Sequence, residues 1–150
     1  MTRRNSLMLL VVIILSALTP VVGKFVRSRS GSRCALDGIR VEDRLRVLVH
    51  SQAGEEREFC SLRCAECWVA AAGWSNATAF VTDEESGEQL RASEAYFVRS
   101  RIVTHRMSGE RRHVFRNLSD AEKHAELHQG RLLIGKLRPF ATIETETSNH

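Results

Sequence analysis

Alternating and runs-of-apolar positions divide the chain before any chemistry is considered. Leu7 to Leu18 is uncharged and apolar apart from Ser16, with Arg3 and Arg4 before it and Pro20 after it. A basic start, a short apolar stretch and the small or apolar residues Val21-Val22-Gly23 are the layout of an export signal. The stretch falls short of the ~20 residues that cross a bilayer comfortably. Residues 1–23 therefore read as a signal peptide or N-terminal membrane anchor, with membrane association through residues 7–22 in the second case. Residues 24–33 (KFVRSRSGSR) have no periodicity and read as a basic linker. A cleaved signal is the preferred reading, although the linker's positive charges, which resist translocation, pull toward the anchor.

From Cys34 onward the pattern predicts ordered elements. Arg44–His50 alternates, with Leu45, Val47 and Val49 on one face, as a strand does. Gln52-Ala53-Gly54 turns the chain and Arg57-Glu58-Phe59 begins a second strand. Ser61 caps an Ala-rich helix over Leu62–Ala72, stopped by Gly73. Ala79–Thr82 is a strand, Asp83–Gly87 a turn, and Glu88–Leu90 extended again. Ala95–Ser100 and Arg101–Thr104 read as one bent strand or two, and His113–Arg116 as another. Ser119-Asp120 caps a helix through His128, ended by Gln129-Gly130, and Arg131–Ile134 is the last strand. The predicted class is α+β. It comprises two small similar lobes, 34–75 and 76–140, each a short, mostly antiparallel sheet with one helix (ββαβ-like), and a flexible tail at 141–150.

Composition narrows the function. Hydrophobic residues are 43% and charged residues 27% of 150, enough for a globular body, while 6% aromatics makes the core aliphatic. The net charge is +4, and Arg3 and Arg4 contribute two of the 22 basic residues. The remaining 20 bases against 18 acids give no electrostatic footprint for nucleic acid. No Ser-His-Asp set, paired carboxylates or Gly-rich phosphate loop stands out, so the chain is not read as an enzyme.

The four cysteines carry the sharpest chemistry. Cys34 precedes Cys60 by 26 positions, and Cys60, Cys64 and Cys67 follow at i, i+4 and i+7. If a helix begins near Cys60, those three sulfurs share one stripe that Cys34 faces from the preceding turn. Converging thiolates suit Cu(I), or Zn(II) as the alternative with four thiolates in a tetrahedron. Disulfides of an exported chain, and inert buried thiols, stay open as readings. Cys64-Ala65-Glu66-Cys67 has the spacing of a thiol oxidoreductase, but Cys64 lies a full turn into the helix, away from the N-terminus that activates such a thiol. Met107, in the loop Thr104–Gly109, offers a thioether suited to Cu(I) and poor for zinc. His124 and His128 stand at i and i+4 on a polar helix and read as solvated; His105 and His113 have no assignable partner.

Two resemblances fall on these residues. Cys34-Ala-Leu-Asp-Gly38 followed by Phe59-Cys60-Ser-Leu-Arg-Cys64 resembles the cysteine pattern of the TRASH-type metal-binding modules. Val81-Thr-Asp83, Ser86-Gly-Glu88, Ala92-Ser-Glu-Ala-Tyr-Phe-Val98, Met107, Val114-Phe115, the helix Ala121–His128 and Gly130 are similar to the NosL family of nitrous oxide reductase accessory proteins. Together they span roughly residues 34–138. The chain departs from that family at Leu36, where Cys-x-Met is usual, at Arg106-Met107-Ser108-Gly109, where Pro-Met-Gly is frequent, and in having no lipid-accepting cysteine after the apolar run.

The NosL resemblance implies an extracytoplasmic protein, periplasmic or membrane-anchored. It implies a chain of two small lobes that binds Cu(I) and delivers it to a client copper protein. The expected ligands are Cys34, Cys60 and Cys64, with Cys67 or Met107 as accessory donor. The competing expectation is a structural zinc module that binds another protein without transferring metal.

Overall fold

Strand β1 (Val47–His50) buries Val47 and Val49 and leaves Leu48 and His50 partly open, the period-2 pattern that predicts it. A turn through Gly54, at φ 81°, returns the chain as β2 (Glu56–Phe59), antiparallel to β1 with Val47 opposite Phe59. The computed structural model that shows this describes residues 31–144. The expected signal or anchor at 1–23, most of the linker and the tail beyond 144 lie outside the described residues. Among the described residues no helix is long and apolar enough to cross a membrane.

The other edge of β1 is covered by β3 (Thr78–Thr82), which places Val81 opposite Val47 and Ala79 opposite Val49. β4 (Gln89–Arg91) pairs with β3, and the sheet order is β2-β1-β3-β4, all antiparallel. The first sheet thus takes strands from both sides of residue 75. The reason is that a strand as buried as β1 must satisfy both its edges, and β2 can cover only one. The second sheet has the order β6-β5-β7, with β5 (Tyr96–Arg99) between β6 (Arg112–Phe115) and β7 (Arg131–Leu133), again antiparallel. The architecture is therefore α+β with antiparallel sheets of four and three strands.

Three of the expected elements differ in detail. The strand expected from Arg44 begins only at Val47, because Asp43–Leu45 forms a 3-10 turn. Arg101–Thr104 is not a strand; the Ile102 N–H donates to the Ser100 hydroxyl, 3.1 Å away, and the chain leaves the sheet there. The helix expected from Ser119 begins earlier, as α2 (Leu118–Leu127) with Asn117 at its N-cap. The Asn117 side-chain amide donates to Asp120 in the first turn, and α2 buries Ala121 against the second sheet.

Helix α1 (Leu62–Ala72) matches its predicted range. The Ser61 hydroxyl accepts from the Cys64 N–H at 3.2 Å, and Gly73 at φ 69° ends the helix in the left-handed conformation. Leu62, Cys64, Ala65 and Val69 face inward, packing α1 on β1 and β2. The chain closes with a 3-10 turn at Gly135–Leu137 and a single turn, α3 (Ala141–Glu144), whose Ile143 joins Phe140 in the larger core.

Gly130 sits where α2 hands over to β7. A Cβ there would stand 2.9 Å from the Arg99 carbonyl oxygen and 3.0 Å from Val98 Cγ1. The backbone cannot withdraw, because the Gly130 N–H is held by the Ala125 carbonyl at 2.8 Å. Gly130→Ala is expected to destabilise the fold by about 1–3 kcal/mol through overpacking, read as a lowered urea midpoint at unchanged slope.

Candidate metal centre

The centre begins with a tight turn. The Cys34 N–H donates to the Ile39 carbonyl at 2.8 Å, and the Gly38 N–H donates back to the Cys34 carbonyl at 2.9 Å. Gly38 takes φ 73°, a conformation that favours glycine. Asp37 is held by the Ile39 N–H, which donates to its Oδ1 at 3.0 Å. One further bond sets the position of the whole turn. The Ala35 N–H donates to the Glu58 carbonyl at 2.8 Å, docking the turn on the end of β2 just before Cys60. That contact closes the 26-residue gap between the first and second cysteines.

Cys60 follows β2, Ser61 caps α1, and Cys64 lies in the first turn of the helix, not the full turn in that the spacing suggests, because the helix starts at Leu62 and not at Cys60. The sulfurs of Cys60 and Cys64 are 3.6 Å apart, and Asp37 Oδ2 lies 3.6 Å from the first and 3.4 Å from the second. With Cys34, these residues each present one donor atom, all within 4.8 Å of one another. The three thiols are buried, at 3%, 1% and 4% exposure for Cys34, Cys60 and Cys64, while Asp37 is exposed. The arrangement is a floor of sulfur with a carboxylate at its rim. All four cysteines are free.

Burial is the largest influence on the thiols of Cys60 and Cys64. It pushes Cys60 well above the usual thiol range, and the neighbouring Cys34 and Cys64 add to the rise. It also raises Cys64, against opposing hydrogen bonds from Ser61 and Cys60. The N-terminal end of α1 favours thiolate, but desolvation outweighs it here. For Asp37, burial pushes upward, yet hydrogen bonds from the Cys34 thiol, the Ile39 N–H and the other two thiols win, so its carboxyl is lowered. Without a metal the site therefore pairs protonated thiols at Cys60 and Cys64 with an ionised acceptor.

A second group braces the helix that carries Cys64. Glu110, 7% exposed, accepts the Arg63 N–H at 3.0 Å, an N–H that the helix itself leaves without a partner. Both Glu110 oxygens also accept from Arg112, at 2.8 and 2.6 Å, and Arg112 reaches Glu66 on α1 at 2.6 Å. Ser61 and Glu110 thus hold two successive N–H groups at the start of α1.

The structure brings Cys34, Cys60 and Cys64 together and leaves Cys67 and Met107 outside. The three sulfurs meet at the end of α1 rather than along a stripe, because Cys60 precedes the helix. Cys67, further along the helix, is exposed. Met107 projects from the loop after β5 with 76% of its surface open. Asp37 is the donor that spacing analysis missed. Its signal was the tight Cys34-x-x-Asp37-Gly38 turn, which returns a side chain at i+3 toward residue i.

Fold and site together define a class: a small two-sheet α+β chain with buried thiols and a carboxylate gathered at one helix end. No family model and no curated protein matches the chain. Among solved structures it is similar to the crystal structure of the copper chaperone NosL from Shewanella denitrificans, with a TM-score of 0.58 and 20% sequence identity. The match covers 67% of this chain and 84% of the NosL chain. The two share a fold, as the NosL resemblance of the sequence implies.

Proposed function

We propose that this chain carries Cu(I) as cargo on the thiolates of Cys34, Cys60 and Cys64 and passes it to a client copper protein outside the cytoplasm. The observation that carries the reading is the meeting of three buried thiols, one from a distant turn, within 4.8 Å of a shared carboxylate. A fold in common with a copper chaperone supports it. The export pattern of residues 1–23 supports the location, and the NosL resemblance favours a client of the nitrous oxide reductase type. The reading needs neither Cys67 nor Met107.

Each bound thiol must lose its proton. Asp37, ionised, exposed and 3.4–3.6 Å from two of the sulfurs, is placed to relay such a proton to solvent. Low-coordinate sulfur ligation leaves Cu(I) open to an incoming soft donor. The exposed Asp37 rim is the side from which a client ligand enters, so the ion exchanges without being released to solvent.

The test is a titration of Cu(I) into reduced protein against a competing chelator. One equivalent per chain is expected. Affinity is expected to rise with pH, by up to about tenfold per pH unit for each thiol proton released. Absence of binding, or binding indifferent to pH, overturns the proposal.

One observation favours the zinc reading: the Asp37 oxygen makes a set of four donors, three sulfurs and one oxygen, that suits a closed Zn(II) tetrahedron better than Cu(I). A structural zinc centre predicts that a chelator unfolds the protein, and that Cu(I) displaces zinc only with loss of structure.

A further inference from the structure

We propose that Glu84, His113 and His124 form a second cation site, selective for a borderline divalent ion of the zinc class and independent of the thiol centre. The three come from the β3–β4 turn, from β6 and from α2, and one donor atom of each lies within 4.8 Å of the others. None of the three belongs to the thiol group, and the proposal stands whether or not the chain carries copper.

His113 is the core of the argument. It is only 2% exposed, yet its ring is flanked by polar atoms on both sides. Nδ1 lies 2.9 Å from Glu84 Oε2, and Nε2 lies 3.0 Å from Ser100 Oγ and 3.4 Å from the Ile102 carbonyl. Whichever nitrogen turns its lone pair to a cation, the other N–H finds an oxygen acceptor, the support that metal-bound histidines require. The His124 ring centroid is 4.0 Å from that of His113, and the ring of His128, one turn on, is 4.5 Å from His124. The pair expected as a solvated helix face is therefore packed through His124 against a buried imidazole, with tilted rings. Burial first, then the neighbouring His113 and His128, lower the His124 pKa.

Ser100, His113 and Glu84 also have the distances of a hydrolase relay. Ser100 is 7% exposed, and its oxygen already faces the Ile102 N–H and two imidazoles. No face of that hydroxyl is left for an electrophile, so the cluster reads as a ligand set and not as a nucleophile. Two imidazoles and a carboxylate suit a borderline divalent ion, whereas the sulfur set suits a soft one. Glu84, with a quarter of its side chain exposed, gives an ion a way in.

The test titrates Zn(II) into the reduced chain and follows the imidazole nitrogens by NMR. The ring nitrogens of His113 and His124 are expected to shift with one equivalent beyond any Zn(II) that the thiols take. That equivalent should persist in a Cys60→Ser/Cys64→Ser variant, and its affinity should fall more than about 100-fold in His124→Ala and in Glu84→Gln, beyond what loss of an outer-shell partner costs. Imidazoles that do not move, or His124→Ala binding Zn(II) as tightly as the unaltered chain, overturn the proposal. His124 is only half-buried on α2, and circular dichroism of His124→Ala checks that its fold is retained. Should the double cysteine variant fail to fold, the ring shifts in the unaltered chain and their loss in His124→Ala decide the matter. Cu(I) binding is expected to be unchanged in His124→Ala, which separates this site from the thiol centre.

Discussion

Replacing Cys60 and Cys64 together by serine is expected to abolish stoichiometric Cu(I) binding, with affinity falling well over about 100-fold. Loss of a mere outer-shell partner costs 10- to 100-fold; here two of three direct sulfur donors disappear. Serine oxygens are hard and do not replace thiolates for a soft ion. The two substitutions leave the turn at Cys34 in place, because its docking bonds are made by backbone groups of Cys34, Ala35, Gly38 and Glu58. The apo variant should therefore keep its circular dichroism spectrum while losing the metal. Cys67→Ser, at an exposed position outside the group, is expected to bind Cu(I) as the unaltered chain does. Competition with a Cu(I) chelator reads both variants, and unchanged affinity in the double variant sinks the carrier account.

Glu110→Ala is expected to destabilise the fold by about 3–5 kcal/mol, the range for breaking a buried ion pair from one side. It leaves the Arg112 guanidinium in a largely buried place with only Glu66 opposite it. It also strips the Arg63 N–H at the start of α1 of its acceptor. The same carboxylate makes the fold acid-sensitive. Burial pushes the Glu110 carboxyl upward, but the Arg112 hydrogen bonds and charge more than offset this and hold it below the usual range. A carboxyl lowered on folding contributes stability that is complete above its ordinary value of 4.5 and is lost as pH falls through the lowered folded value. Asp83, pushed up by burial but held lower on balance by the Ser86 hydroxyl and N–H and the Arg116 N–H, works in the same direction. Urea unfolding at stepped pH should show the unaltered chain losing stability below about 4.5, and Glu110→Ala losing less over that window because part of the loss is already built in.

Local chemistry alone determined a good part of this molecule. Ser61, the Ala-rich run and Gly73 mark both ends of α1, because a cap and a left-handed stop are made by neighbours in the chain. The alternation through Val47 and Val49 marks β1, because side chains on a strand change face at every residue. The two-sheet α+β class followed from the count and order of such elements. The cysteine spacing also pointed to a sulfur site, although it put Cys67 on a stripe that does not form.

Tertiary structure decided what spacing leaves free. The membership of β3 and β4 in the first sheet follows from the unfilled edge of β1, a demand made by a strand some thirty residues earlier. Asp37 enters the thiol group because one backbone bond, Ala35 to Glu58, carries its turn onto the end of β2. His113 meets Glu84 and His124 only because three separate elements pack together around it. Periodicity and caps are written in short windows of sequence. Which donor atoms share one small volume depends on strand edges and buried charges being satisfied together, and only the folded chain resolves that.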